Sequence, residues 1–299
     1  MSIRANPNIL PDLLAGLNVA QQQLNMQDAE LATGRTINAP SDDPAGAEAL
    51  IENFAAAAQS DTFQQNIGSL TERLQTADSV LGTAVSAVNQ AISLGVQAGN
   101  SDLSDQDRQA IASNLQAIQQ QLVAAGNTSY SGTYLFSGTL VDTQPFTLNA
   151  AAPDGVTYNG NNSVTSVEIT SGESVNINSP GSTLFLNPSG NLLGSISSLI
   201  TAIQSNTGIA AANTAFGQAA SEFDAQRISY GASLNQLQSA GTLLSSQQVQ
   251  LATQESTIDG ANLADVTTNF SQSEVAYQSL LDAESKILNL PNLLNLISG

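Results

Sequence analysis

The chain has 299 residues, only 10% of them charged, and its six Lys and Arg are outnumbered by 25 Asp and Glu for a formal net charge of -19. An ordinary soluble chain carries about 25% charged residues, so neutral polar side chains must keep this surface hydrated. With so few cations, none of them between Arg108 and Arg227, nucleic-acid binding and attraction to an anionic membrane are disfavoured, since both draw their affinity from Lys and Arg. Zero Cys and zero His remove thiol nucleophiles, disulfides, Ser-His-Asp triads and zinc sites with Cys or His ligands. Any enzyme would have to use carboxylates, tyrosines or the single lysine, Lys286, and because the candidates among them have simpler explanations, no enzyme activity, cofactor or metal site is expected.

In chain order, the first segment carries Arg4 but has Pro11 and Asp12 inside its apolar stretch and no small-residue cleavage site, so it does not read as a cleaved secretory signal. No run approaches the roughly 18 consecutive apolar residues of a membrane span, and no membrane insertion is expected. Ile3, Leu10, Leu17, Leu24 and Leu31 recur every seven residues, the stripe of an amphipathic helix. Pro7 and Pro11 are expected to confine it to about residue 12 onward. A second register is cleaner. Ile67, Leu74, Leu81 and Val88 form one line, and Leu70, Ala77, Ala84 and Ala91 the other, the a/d pattern of a coiled coil. A helix over about residues 62–98 would be on the order of 55 Å long, a rod rather than a globule-sized helix.

Ser104 with Asp107 three residues on forms a capping box that opens a third helix, continued by Ile111, Leu115, Ile118 and Leu122. From about 131 to 188 the helical spacing disappears. Val167-Glu168-Ile169 and Val175-Asn176-Ile177 alternate around Ser171-Gly172-Glu173 as a hairpin, and Val156-Thr157-Tyr158 reads as a short strand between turns. Beyond it Phe216, Phe223, Tyr230, Leu237, Leu244, Leu251 and Ile258 again fall every seven residues. The register slips at Gly260 and resumes with Leu263, Val266, Phe270, Tyr277, Leu280 and Ile287, the mark of a stutter or a joint between packing zones. The fold class is thus mainly α with a small inserted β domain, long helices from both chain ends forming a helical rod or coiled coil.

The outer faces are rich in Gln, Asn, Ser and Ala, as in Gln21-Gln22-Gln23 and Gln119-Gln120-Gln121. An isolated coiled coil usually shows charged e and g positions. Neutral, small faces allow close contact without desolvating charge, and favour a subunit packed among copies of itself or its relatives over a weakly charged monomeric bundle.

Sites that tempt a chemical reading have simpler explanations. Asp102, Asp105 and Asp107 lack the rest of a calcium-loop pattern, and helix capping accounts for Asp105 and Asp107. Asp43 before Pro44 is read as the N-cap of a helix whose first residue is proline. Glu222 with Asp224, and Asp282 with Glu284, are two apart and diverge by about 200° on a helix, so both pairs are expected on solvated faces. Lys286 is read as a helix ion pair with Asp282. Phe216, Phe223 and Tyr230 are read as core.

Residues 31–46, Leu-Ala-Thr-Gly-Arg-Thr-Ile-Asn-Ala-Pro-Ser-Asp-Asp-Pro-Ala-Gly, closely resemble the N-terminal signature of bacterial flagellin and its hook-associated relatives. The motif residues are Thr33, Gly34, Arg35, Asn38, Ser41, Asp42, Asp43 and Pro44, with a helix stop at Gly34 and a capped restart at Pro44. Thr36 stands where relatives commonly carry a second basic residue. Tyr134-Leu135-Phe136-Ser137-Gly138-Thr139, Pro145-Phe146 and Val156-Thr157-Tyr158-Asn159-Gly160, together with Asn262-Leu263-Ala264-Asp265-Val266 and Leu293-Leu294-Asn295-Leu296-Ile297, look like the hook–filament junction branch of that family.

The resemblance implies a flagellin-like organisation: an N-terminal amphipathic assembly helix and turn (1–43), two halves of a helical rod (44–130 and 189–260) flanking the β domain (131–188), and a C-terminal assembly helix (261–299). It implies assembly contacts through Ile3, Leu10, Leu17, Leu24, Leu31, Leu263, Val266, Phe270, Tyr277, Leu280 and Ile287. The implied role is a structural adaptor, extracellular on the bacterial flagellum and exported without a cleaved signal. Its implied partners are copies of itself in a helical layer, the first hook-associated protein, flagellin and an export chaperone. The rival readings are a short flagellin that forms the filament itself and, from another class, a glycan-binding adhesin using Tyr134, Phe136, Phe146 and Tyr158.

Overall fold

The computed structural model describes the backbone of residues 9–288 and the side chains of residues 11–286. Ile3 lies outside the described residues, as do Pro7 and residues 293–297, and the side chains of Leu10 and Ile287 fall outside them too. The helices are α1 (Ile9–Thr33), α2 (Pro44–Ala98), α3 (Asp105–Gly126), α4 (Gly181–Phe185), α5 (Leu192–Gln204), α6 (Ile209–Asp259) and α7 (Leu263–Leu288). The strands are β1 (Ser129–Tyr130), β2 (Thr133–Tyr134), β3 (Phe146–Leu148), β4 (Val156–Tyr158), β5 (Ser166–Thr170) and β6 (Glu173–Asn176). The chain is mainly α with a small β insert, as its patterning predicts. It divides into two compact units, residues 59–247 on one hand and the two flanking stretches of chain on the other.

The 59–247 unit holds most of the core. The a/d line of α2 is buried as read: Leu74 and Leu81 are fully enclosed, with Ile67, Ala77, Ala84, Val88 and Ala91 beside them. Phe216, Phe223, Tyr230, Leu237 and Leu244 of α6 are buried in the same cluster, so the heptad aromatics are core. α2 is longer than expected, 55 residues from Pro44, because nothing between Pro44 and the heptads breaks the helix. α1 also begins earlier than expected and includes Pro11 in its first turn. An N–H there has no intrahelical acceptor to lose, so proline costs little.

At α3 the Ser104 hydroxyl accepts from Asp107 N at 3.1 Å while Asp107 Oδ2 accepts from Ser104 N at 3.3 Å, the reciprocal box predicted. The hydrogen bond from the Ser104 hydroxyl, then that from its backbone N–H, holds the Asp107 carboxyl below the usual carboxylate range. α3 packs on α5, whose Leu192, Leu193, Ile196, Leu199 and Ile203 are fully buried.

The β insert is three separate antiparallel hairpins, β1-β2, β3-β4 and β5-β6. β5 and β6 pair Val167 with Val175 as the alternation requires, with a register shift between Glu168 and Thr170. Two-stranded ribbons are marginal alone, and here asparagine side chains and aromatic rings bind them together. Asn178, only 6% exposed, donates to the carbonyls of Gly138 and Ser163 and accepts from Thr165 N at 2.6 Å. Asn161 Oδ1 accepts from Thr139 N and Ser163 N. Asn178→Ala strands two carbonyls and an amide at once. With about 1–3 kcal/mol for each buried group left unsatisfied, it is expected to lower stability by at least about 2 kcal/mol in urea unfolding. A loss below about 0.5 kcal/mol would show that water replaces the side chain.

Phe136, Phe146 and Tyr158 serve this packing, while Tyr134 of β2 is half-buried. Phe136 and Phe146 are fully buried, and the Tyr158 hydroxyl donates to Phe136 O or Asn161 O, both at 3.0 Å. Neither buried phenylalanine can stack on a sugar.

Candidate functional site

The motif at the first helix stop lies at a chain crossing built from residues 33–46 and 255–265. α1 ends at Thr33 because Gly34 takes a left-handed turn, φ 70°, with its N–H on Glu30 O at 2.8 Å. Arg35 then pairs antiparallel with Gly260. Thr36 N donates to Asp259 O at 2.8 Å, and Ala261 N donates to Gly34 O at 3.0 Å. The break between α6 and α7 is thus stitched, backbone to backbone, to the break between α1 and α2.

Side chains lock the crossing. Arg35 Nη2 donates to Glu255 Oε1 at 2.8 Å and Arg35 Nε lies 3.5 Å from Asp259 Oδ2. Its guanidinium also sits over the Phe54 ring at 5.8 Å, within cation–π range. Asp259 is buried, 2% exposed, and its Oδ1 accepts from Ile37 N at 2.7 Å. Asp42 Oδ2 accepts from both Asn38 N and Ala39 N at 3.1 and 2.7 Å, and Asn38 Nδ2 donates to Arg35 O at 3.0 Å. Asp43 Oδ1 accepts from Ala45 N at 3.1 Å, so it caps α2 ahead of Pro44 as read. Gly46 leaves room for the Asp43 and Ile37 side chains, since a Cβ there would stand 2.5 Å from both Asp43 Oδ2 and Ile37 Cδ1 and both would have to shift. On the far side Asn262 Oδ1 accepts from Ala264 N and opens α7. Of the motif residues Thr33, Gly34, Arg35, Asn38, Asp42, Asp43 and Pro44 all serve this crossing, and Ser41 is exposed beside them.

α1 and α7 pack together. Leu17 and Leu24 of α1 are half-buried, together with Leu13, Ala20 and Gln27, and on α7 Val266 is buried while Phe270, Tyr277 and Leu280 are half-buried. These positions recur three and four apart and form the seam of the pair. Leu31 and Leu263 do not join it. They are exposed, and with Leu14, Val19, Met26, Val275 and Leu281 they give the two helices a second apolar set facing solvent, Val19 at 60% and Val275 at 64% exposure.

The rest corrects two expectations. Lys286 and Asp282 are both exposed, and the ion pairs among the described residues, made by Arg35, Arg108 and Arg227, do not include them. At full exposure an i, i+4 pair gains too little to hold two long side chains together. Glu222 and Glu284 are half-buried rather than solvated, Glu222 Oε1 accepting from Asn187 and Gln226. Among the described residues no group of three or more Asp or Glu is placed to hold a metal ion. The sequence pointed to the motif and to the Gly260 break separately, but carried no signal that Glu255 and Asp259 are the partners of Arg35.

The fold and this crossing define a helical chain whose first and last described helices pair with one another, joined by an arginine–carboxylate clasp. The chain belongs to the bacterial flagellin family: residues 10–140 match the flagellin N-terminal helical region and residues 214–297 the flagellin C-terminal helical region. It is 31% identical over 134 residues to flagellar hook-associated protein 3 of Salmonella typhimurium, a match covering 44% of this chain. The chain spans 42% of that relative's length. It is also 30% identical over 123 residues to polar flagellin C of Vibrio parahaemolyticus, across 41% of this chain and 32% of the flagellin. In fold it resembles the flagellar junction protein FlgL of Legionella pneumophila, with a TM-score of 0.59 and 19% identity over 71% of this chain and 100% of that one. These relatives are flagellar components.

Proposed function

We propose that the chain is a structural adaptor at the junction of flagellar hook and filament. On this reading it lies outside the cell, in a helical layer of its own copies between the first hook-associated protein and flagellin, having been exported without a cleaved signal and escorted by a chaperone. The match to hook-associated protein 3 carries the reading. The outward apolar residues of α1 and α7 support it, because a helix pair with apolar residues on two sides has buried only one of them. In the assembled layer, Leu31 and Leu263 would meet neighbouring subunits directly, while Leu17, Leu24, Val266, Phe270, Tyr277 and Leu280 would hold the pair that presents them. The same contact role is proposed for Ile3, Leu10 and Ile287.

Deleting the gene is expected to leave hooks without filaments and flagellin shed into the medium, read by negative-stain microscopy and immunoblot. Filaments still attached to hooks would overturn the junction role. The match to polar flagellin C favours one alternative, a subunit of the filament itself. Purified chain that elongates on filament seeds would establish that alternative, whereas an adaptor adds to hooks and stops.

A further inference from the structure

In a chain with 25 acidic and six basic side chains, an arginine without a carboxylate is the anomaly. Arg35 is clasped by Glu255 and Asp259, Arg108 pairs with Asp105, and Arg227 Nε donates to Asp78 at 3.0 Å. Arg73 of α2 pairs with none of the described carboxylates, and every Asp and Glu side chain of the sequence falls between Asp12 and Glu284, inside the described residues. Its side chain is half-buried, and its Nε is out of reach of water without a hydrogen-bond acceptor. A guanidinium stays charged under all ordinary conditions, and this one has lost water at Nε without receiving an acceptor there, while none of the described carboxylates of its own chain meets the remaining nitrogens.

Helix geometry says where an anion would come from. At about 100° per residue, Arg73 lies about 70° to one side of the buried Leu74–Ala77–Leu81 face of α2, and Asp78 lies about 70° to the other. Asp78 meets Arg227, which fixes the corresponding flank of α6, and Asp224 sits one turn before Arg227 on that flank. Asp224 is exposed and takes part in no ion pair of the described residues. Within the 59–247 unit the unpaired Arg73 therefore lies on one flank of the α2–α6 pair, and Asp224, an exposed carboxylate in no ion pair of the described residues, lies on the opposite flank. A contact between opposite sides of identical copies is heterologous, and such contacts generate rings or helical layers.

We infer that Arg73 of one copy of this chain forms a lateral salt bridge with Asp224 of the next copy. This inference rests on the reading of the chain as a self-layering flagellar subunit and adds the residue pair that sets its lateral register. Because the chain has no cysteine, the test has no background thiols. The double variant Arg73→Cys/Asp224→Cys, expressed in the source bacterium in place of the natural chain, is oxidised in isolated hook–filament structures and run on a non-reducing gel. The expected result is a ladder of dimers and higher multimers, with neither single variant giving species above a dimer. Double-variant chain that stays monomeric in structures still carrying filaments overturns the lateral bridge and leaves the junction reading intact. Filaments that stay attached when the whole gene is deleted overturn the junction reading instead.

If the cysteine pair does not assemble, charge reversal decides. Arg73→Asp and Asp224→Arg should each strip filaments from hooks, and the two together should restore them. Failure of the combined reversal to restore attachment overturns the inference.

Discussion

Phe185→Ala will destabilise the 59–247 unit by about 3–5 kcal/mol, the range for removing a buried aromatic side chain. Phe185 of α4 has no exposed surface, and its ring meets three others: Phe136 at 6.0 Å and Phe146 at 5.4 Å, both edge-on, and Phe223 of α6 at 5.2 Å. Phe185 thereby fastens the β insert to the long helix, beside the Phe136–Tyr230 ring contact at 6.5 Å and the hydrogen bond from Ser179 N to the Tyr230 hydroxyl at 3.0 Å. The seat cannot readily collapse. Phe146 already rests against Gly126 and Gly181, where a Cβ would come within 2.7 and 2.6 Å of its ring, so it has little freedom to move into the vacancy, and a cavity that stays open costs more than one that closes. Phe185→Leu keeps most of the volume and is expected to cost less than the alanine. Urea unfolding followed by the tyrosine signal of the insert measures both. A Phe185→Ala loss under about 1 kcal/mol would mean that the seat closes after all and the remaining contacts to α6 carry the insert.

The elements most legible in the sequence were those whose signal repeats. The line through Ile67, Leu74, Leu81 and Val88 is buried along its whole length, because each heptad samples the same face again and an error at one position is outvoted. Its upstream continuation was invisible for the same reason. The positions seven and fourteen residues before Ile67 are Ser60 and Asn53, both buried, yet an apolar pattern cannot register them. Asn53 tolerates burial because its Nδ2 donates to Leu251 O and Gln254 Oε1, partners about two hundred residues away. α5 was missed as a separate helix: its 13 residues follow a Gly- and Ser-rich stretch and are too few for a register to show. The turn chemistry at Gly34, Asp43–Pro44 and Ser104 was readable because a cap is local. The clasp was not, since Arg35 and its carboxylates lie 220 or more residues apart in the chain, and nothing in either segment names the other.

The clasp also sets the second large expected effect, because its two carboxylates are unequal. Glu255 forms the shorter contact with Arg35, 2.8 Å, but the two side chains are 32% and 49% exposed, and an ion pair in contact with solvent contributes about 0–1 kcal/mol. Asp259 stands farther from the guanidinium, 3.5 Å, with its side chain only 3% exposed. It is worth more because Oδ1 accepts the Ile37 N–H at 2.7 Å in a place water does not reach. Asp259→Ala strands that amide and removes a charge-assisted hydrogen bond, a loss of about 1.5–3 kcal/mol. Glu255→Ala should cost less than about 1 kcal/mol. Asp259→Asn keeps an oxygen for Ile37 but loses the charge opposite Arg35, and falls between the two. Amide exchange separates this account from one based on distance alone. Ile37 and Thr36 should exchange faster by about tenfold or more in Asp259→Ala, the factor that corresponds to about 1.4 kcal/mol of local opening, and remain close to the unaltered chain in Glu255→Ala. If Glu255→Ala exposes those amides as much as Asp259→Ala does, the surface contact and not the buried acceptor is what closes the crossing.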